Sequence, residues 1–148
     1  MATEELRFKV GLSGTYWDRR PQYEILVNNE VKKSGTIVSE SGIVEYIEFS
    51  AEVEEDVSHT LQIRLIGKVA SDVVQNKNGN IEKDLLLNIV EIEIDDIELE
   101  FLKWTHSKYI PDEPKEGFPS NMHVNLGWNG TYELKFNSPF YIWVLESM

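Results

Sequence analysis

The chain has 148 residues, a net charge of −12, 41% hydrophobic residues and no cysteine. One domain, residues 1–148, accounts for this length, and its core needs no disulfide or metal staple. The missing thiols exclude disulfides, zinc–thiolate sites and thiol catalysis, and the acidic balance argues against a phosphate-binding nucleic-acid groove.

The dominant period along the chain is two, the signature of half-buried strands. Leu6, Phe8, Val10 and Leu12 alternate with Arg7, Lys9 and Gly11. Tyr23, Ile25 and Val27 form a second run, and Asn28-Asn29 ends it. Ile47, Phe49, Ala51 and Val53 form a third; Leu61, Ile63 and Leu65 a fourth. Asn78-Gly79 and Asn129-Gly130 predict hairpin turns, because both residue types tolerate positive φ. Leu85 to Ile89 is continuously apolar and predicts a central strand buried on both faces. Val90, Ile92 and Ile94 then alternate with acids, and after Asp95-Asp96 the phase flips to Ile97, Leu99 and Phe101. A one-residue slip moves every side chain across a sheet, so Asp95-Asp96 is expected to be a bulge or a tight connection. Thr105 to His123 carries Pro111, Pro114, Pro119 and Gly117 and predicts one long irregular loop. The last two strands are expected to carry Trp128, Tyr132, Tyr141 and Trp143, and no helix is expected. The pattern as a whole predicts an all-β, jelly-roll-like β-sandwich of two antiparallel sheets with one long irregular loop at about 105–123.

No apolar run reaches the ~18–20 residues of a membrane span. The first residues lack the basic and apolar regions of a signal peptide, so no signal peptide and no membrane insertion are expected. His59, His106 and His123 lack zinc-site spacing, and His59 is expected in a solvated turn. There is no Gly-x-Ser-x-Gly elbow and no phosphate-binding glycine loop, and no nucleophile, base and orienter stand out together; the chain reads as a non-enzyme. Glu91, Glu93, Glu98 and Glu100 read as solvated sheet faces. The segment from Asp72 to Asp84 fails as an EF-hand, because Val74 and Leu85 fall where the obligatory ligands belong. Asp72 and Asp84, at its two ends, remain candidate ligands of a different calcium site. Aromatic rings in loops at a sandwich edge can stack on sugar rings. Tyr16-Trp17, and Trp104 with Tyr109, lie among polar loop residues and are the candidate ligand-binding aromatics.

Two stretches carry a resemblance. Pro21-Gln22-Tyr23-Glu24-Ile25-Leu26-Val27-Asn28-Asn29 is similar to a Pro-x-aromatic strand motif, and Asp84 to Asp96 to a longer strand motif opened by aspartate. Over residues 6–96 the chain thereby resembles the jelly-roll carbohydrate-binding modules of the calcium-dependent, xylan-binding type. The resemblance implies a calcium ligand at Asp84, with Asp72 as counterpart of the acidic loop residues; the family's Arg-Asn is replaced here by Leu85-Leu86. A second resemblance, to uncharacterised proteins of marine cyanobacterial tailed phages, runs through Leu12 to Asp18, Asp84 to Leu99, Val124 to Gly130 and Ser138 to Trp143. It implies a phage origin, with location in the virion or the host cytoplasm. The expected function is therefore a non-enzymatic, carbohydrate-binding-like module with a glycan ligand and calcium as candidate cofactor. The alternative is a structural or decoration protein that docks on phage structural proteins without binding sugar.

Overall fold

The computed structural model describes residues 2–121 and 123–148. In chain order the strands are β1 (Thr3–Thr15), β2 (Gln22–Val27), β3 (Glu30–Thr36), β4 (Glu45–Glu54), β5 (Ser58–Ile66), β6 (Val74–Gln75), β7 (Ile81–Lys83), β8 (Leu86–Ile94) and β9 (Ile97–Glu98). A short helix α1 (Leu102–Thr105), β10 (Ser107–Pro111), β11 (Asn125–Leu126), β12 (Gly130–Asn137) and helix α2 (Phe140–Ser147) complete the chain. One sheet has the order β11-β8-β1-β4, with β9 also paired to β8, and the other the order β10-β12-β5-β2-β3. Their named strand pairs are all antiparallel. The alternating runs supply the shared core: Leu6, Phe8, Val10 and Leu12 from one sheet meet Ile25, Leu61, Ile63, Leu65, Leu134 and Phe136 from the other. Phe8 stacks on Phe49 across β1 and β4, with ring centroids 4.9 Å apart.

Asn28-Asn29 and Asp95-Asp96 are both two-residue turns with positive φ, at 51° and 69° and at 50° and 65°. This is the backbone that a tight hairpin demands, and Asn and Asp accept it more readily than most residues. The phase flip at Asp95-Asp96 is thus a tight connection between β8 and β9. Arg7 secures it: its N–H donates to Asp95 Oδ1 at 2.8 Å, and its guanidinium pairs with Asp96 at 2.6 Å. Asn78-Gly79 turns the β6–β7 hairpin, with Gly79 at φ 81°.

Several expectations are corrected. β8 is not buried on both faces: Leu87 and Ile89 face the core, while Leu86 and Asn88 are half-exposed. A bulge opposite Gly11 and Leu12 leaves Val90 exposed and shifts the buried positions to Ile92 and Ile94. Asn129-Gly130 makes no hairpin, because β11 and β12 belong to different sheets. The expected 105–123 loop is shorter: β10 fills its first part, and Ser120 folds back to exchange backbone hydrogen bonds with Tyr109. The last expected strand is α2. Phe140, Trp143 and Val144 are buried at helical spacing, and a short apolar run does not separate helix from strand by periodicity alone. His59 is buried in β5, not solvated: its Nε2 lies 2.6 Å from the Glu54 carbonyl and its Nδ1 2.9 Å from Asn28 Nδ2.

The connections β1–β2, β3–β4, β5–β8 and β10–β12 all emerge at one end of the sandwich, as the registers of the paired strands require. The β2–β3 turn, the β8–β9 turn, α1 and α2 lie towards the other end.

Candidate functional site

The loop end holds a pocket of about 610 Å³. Trp128 lines it, 42% exposed, beside Lys68, Asp84, Asp112, Glu113 and Lys115. A Trp this exposed is uncommon, because Trp is highly buried on average, and here it sits in a concave surface where charged side chains stand beside apolar Val69, Val73 and Ile81. The geometry that holds it is built by Tyr109, in β10 and 2% exposed. The Tyr109 hydroxyl donates to the Trp128 carbonyl oxygen and accepts the Trp128 N–H at 2.9 Å. Phe118 packs edge-on against Trp128 at 5.2 Å between centroids, and His123 lies 5.1 Å from Phe118. Lys115 Nζ lies 5.4 Å from the Trp128 ring centroid. Burial pushes the Tyr109 phenol up to about 12, against the opposing hydrogen bond from Trp128 and aided by the charge of Asp112. It therefore stays a neutral hydroxyl that can both donate and accept.

The four aromatics expected from the sequence do not converge. Tyr109 is internal and props Trp128 from below. Trp104 lies in α1 and packs against the core. Tyr16 is half-buried, donates its hydroxyl to the Ser39 carbonyl at 2.8 Å and carries the Arg20 guanidinium over its ring at 5.1 Å. Trp17 is 45% exposed at the loop end; its Nε1 donates to the Asp72 carbonyl at 3.0 Å, and Lys83 lies over its ring at 4.8 Å. Sequence reading passed over Trp128 by placing it in a strand. The usable signal was its setting, Gly127-Trp128-Asn129-Gly130, which offers a strand no apolar alternation. His106 and His123 do not share a site: His106 packs edge-on against Trp143 at 5.5 Å, at the other end.

Asp72 and Asp84 lie in separate networks. Asp72 is 3% exposed, and its Oδ2 accepts the Val69 N–H at 2.8 Å and the Arg19 guanidinium at 3.2 Å. Asp84 Oδ1 accepts the Lys68 ammonium at 2.7 Å and the Leu85 N–H at 2.7 Å. Asn76 is spent on its own turn, its Oδ1 accepting the N–H groups of Asn78 and Asn80. Calcium takes about six to eight oxygen ligands. Among the described residues no three His, Cys, Asp or Glu side chains cluster as a metal site would need. A carboxylate already neutralised by a lysine or an arginine is a poor calcium ligand, so the expected calcium site at Asp72 and Asp84 does not fit this donor set.

No family model matches the chain, and no curated protein does. Solved structures do. One, "vCBM60 in complex with galactobiose", superposes with a TM-score of 0.53 at 10% identity, covering 86% of this chain and 96% of that one. Another, the selenomethionine form of vCBM60, gives a TM-score of 0.54 at 8% identity over 87% and 89%. It is described as part of an evolutionary link by circular permutation between two families of calcium-dependent carbohydrate binding modules. The chain has the β-sandwich fold of a carbohydrate-binding module. At these identities the likeness is one of fold, and the pocket has to be read from its own residues.

Proposed function

We propose that this protein is a non-enzymatic glycan-binding module whose ligand lies in the pocket beside Trp128. The observation that carries the reading is a half-exposed indole, fixed from below by Tyr109, inside a concave lining that sets hydrogen-bonding side chains beside apolar ones. A sugar ring offers the indole an apolar C–H face and offers its hydroxyls to Asp84, Asp112 and Glu113. The binding of galactobiose by a protein of the same fold supports this substrate class. Trp17, on the loop end, is a second aromatic surface for a longer glycan. The resemblance of Leu12 to Asp18 and Val124 to Gly130 to phage proteins is what favours a phage particle or an infected host cell as the setting.

The experiment is titration calorimetry with galactobiose and xylo-oligosaccharides. Trp128→Ala is expected to weaken binding at least about tenfold, close to 1.4 kcal/mol, in a variant that still unfolds cooperatively. Binding by the variant equal to the wild type would remove the site from this pocket.

A second reading, docking on a larger assembly, rests on the other end. There Phe101 and Met148 are exposed around an apolar groove of about 500 Å³. Phe101→Glu separates the two: it is expected to leave glycan binding intact and to abolish docking.

A further inference from the structure

The pocket beside Trp128 has a cation built into it. The Lys68 ammonium lies 2.7 Å from Asp84 Oδ1 and 2.6 Å from the Gly127 carbonyl oxygen. Its side chain is only 10% exposed. A carboxylate and a main-chain carbonyl are the hard oxygen donors that calcium takes, and here an ammonium has both. Its backbone is anchored too: the Lys68 N–H donates to Asn129 Oδ1, and Asn129 Nδ2 donates to the Lys68 carbonyl, both at 2.9 Å. Asn129 follows Trp128 in the chain, so the cation and the stacking ring are held in one frame.

Resting on the glycan-binding reading above, we propose that this pocket binds neutral sugars without a metal ion, the positive charge being supplied by Lys68. An ammonium has three donors. Asp84 and Gly127 take two, which leaves one for a sugar hydroxyl oxygen in the pocket that Lys68 lines. A divalent ion on the same two oxygens would meet the ammonium at contact distance, and like charges repel strongly there. The lining sets the carboxylates of Asp84, Asp112 and Glu113 against the ammoniums of Lys68 and Lys115. That balance repels a uronate and gives neutral hydroxyls acceptors. The calcium dependence attached to the modules of like fold is thus absent here for a local reason.

The test compares the wild-type chain in calcium with the same chain in chelator. Calcium alone is expected to leave the thermal midpoint of the sugar-free protein unchanged, and galactobiose is expected to bind with the same dissociation constant in both buffers. A galacturonate oligomer is expected to bind more weakly than the neutral sugar. Lys68→Met is expected to weaken galactobiose binding about tenfold, the scale of a lost charged hydrogen bond, and Lys68→Arg to recover part of it. A midpoint raised by calcium, or sugar binding that needs calcium, overturns this proposal alone. Folded Lys68→Met that binds like the wild type also overturns it. A chain that binds no sugar in either buffer overturns the glycan reading together with this one. The wild-type comparison needs no variant, so it decides even where Lys68→Met fails to fold.

Discussion

Gly130 opens β12 where there is no room for a side chain. A Cβ there would lie 2.6 Å from the Ile110 carbonyl oxygen and 2.8 Å from Pro111 Cα, closer than atoms pack. Gly130→Ala must therefore push β10 and β12 apart, which costs about 1–3 kcal/mol by the scale of overpacked sites. Thermal denaturation should show a midpoint several degrees lower. The same position shows why the sequence misled at Asn129-Gly130. A hairpin and a close backbone approach both select glycine, and an asparagine that turns the chain looks like one that uses its side chain elsewhere. Here Asn129 spends its side chain on Lys68. Trp17 was legible as an exposed loop aromatic. Tyr109 was not legible as buried, because the prolines around it hid a short strand.

Two elements carry predictions. β10 presents Tyr109 as the prop for Trp128, so Tyr109→Phe leaves the Trp128 N–H without its acceptor and the Trp128 carbonyl without its donor at once. The expected loss is about 1–2 kcal/mol of stability, accompanied by weaker galactobiose binding because the indole loses its seat. Calorimetry and a melt on the same variant check both. The β3–β4 connection is pinned by Glu45, whose Oε1 accepts the N–H groups of Val38 and Ser39 and the Ser39 hydroxyl. Burial pushes the Glu45 carboxyl up, but these hydrogen bonds and the Arg20 charge outweigh it and hold it below its ordinary value of 4.5. A depressed folded value stabilises the protein above the unfolded value and ceases to do so as pH falls through the folded one. Glu45→Gln is thus expected to lower the midpoint at neutral pH, and the gap to the wild type should close as pH drops below about 4.5. A gap that persists unchanged in acid would show that the hydrogen bonds do not depend on the charge. α2 was misread as a strand, since tertiary packing of Phe140, Trp143 and Val144 decides a run that short.

At the scale of the whole molecule, period-two runs and Asn or Asp turns made the two-sheet sandwich readable. They set which side chains face inward, and inward faces define the core. What they do not set is which loops meet at one end. That depends on strand order, and it is strand order that brings Lys68, Asp84, Lys115 and Trp128 around one pocket from three stretches of chain. The pairing of Asp84 is another case: Asp84 is visible in the sequence, but its lysine partner, 16 residues away, is visible only in the fold. The acidic surface, with its net charge of −12, surrounds a pocket that contains two ammonium groups.

The central claim is that a sugar stacks on Trp128, and the indole N–H groups report on it directly. The chain has four tryptophans, so an amide-correlation spectrum holds one indole signal each for Trp17, Trp104, Trp128 and Trp143. Galactobiose added in chelator is predicted to move the Trp128 signal most and to leave Trp104 and Trp143 where they are. A spectrum in which no indole moves, or in which Trp104 and Trp143 move while Trp128 stays, would contradict the account.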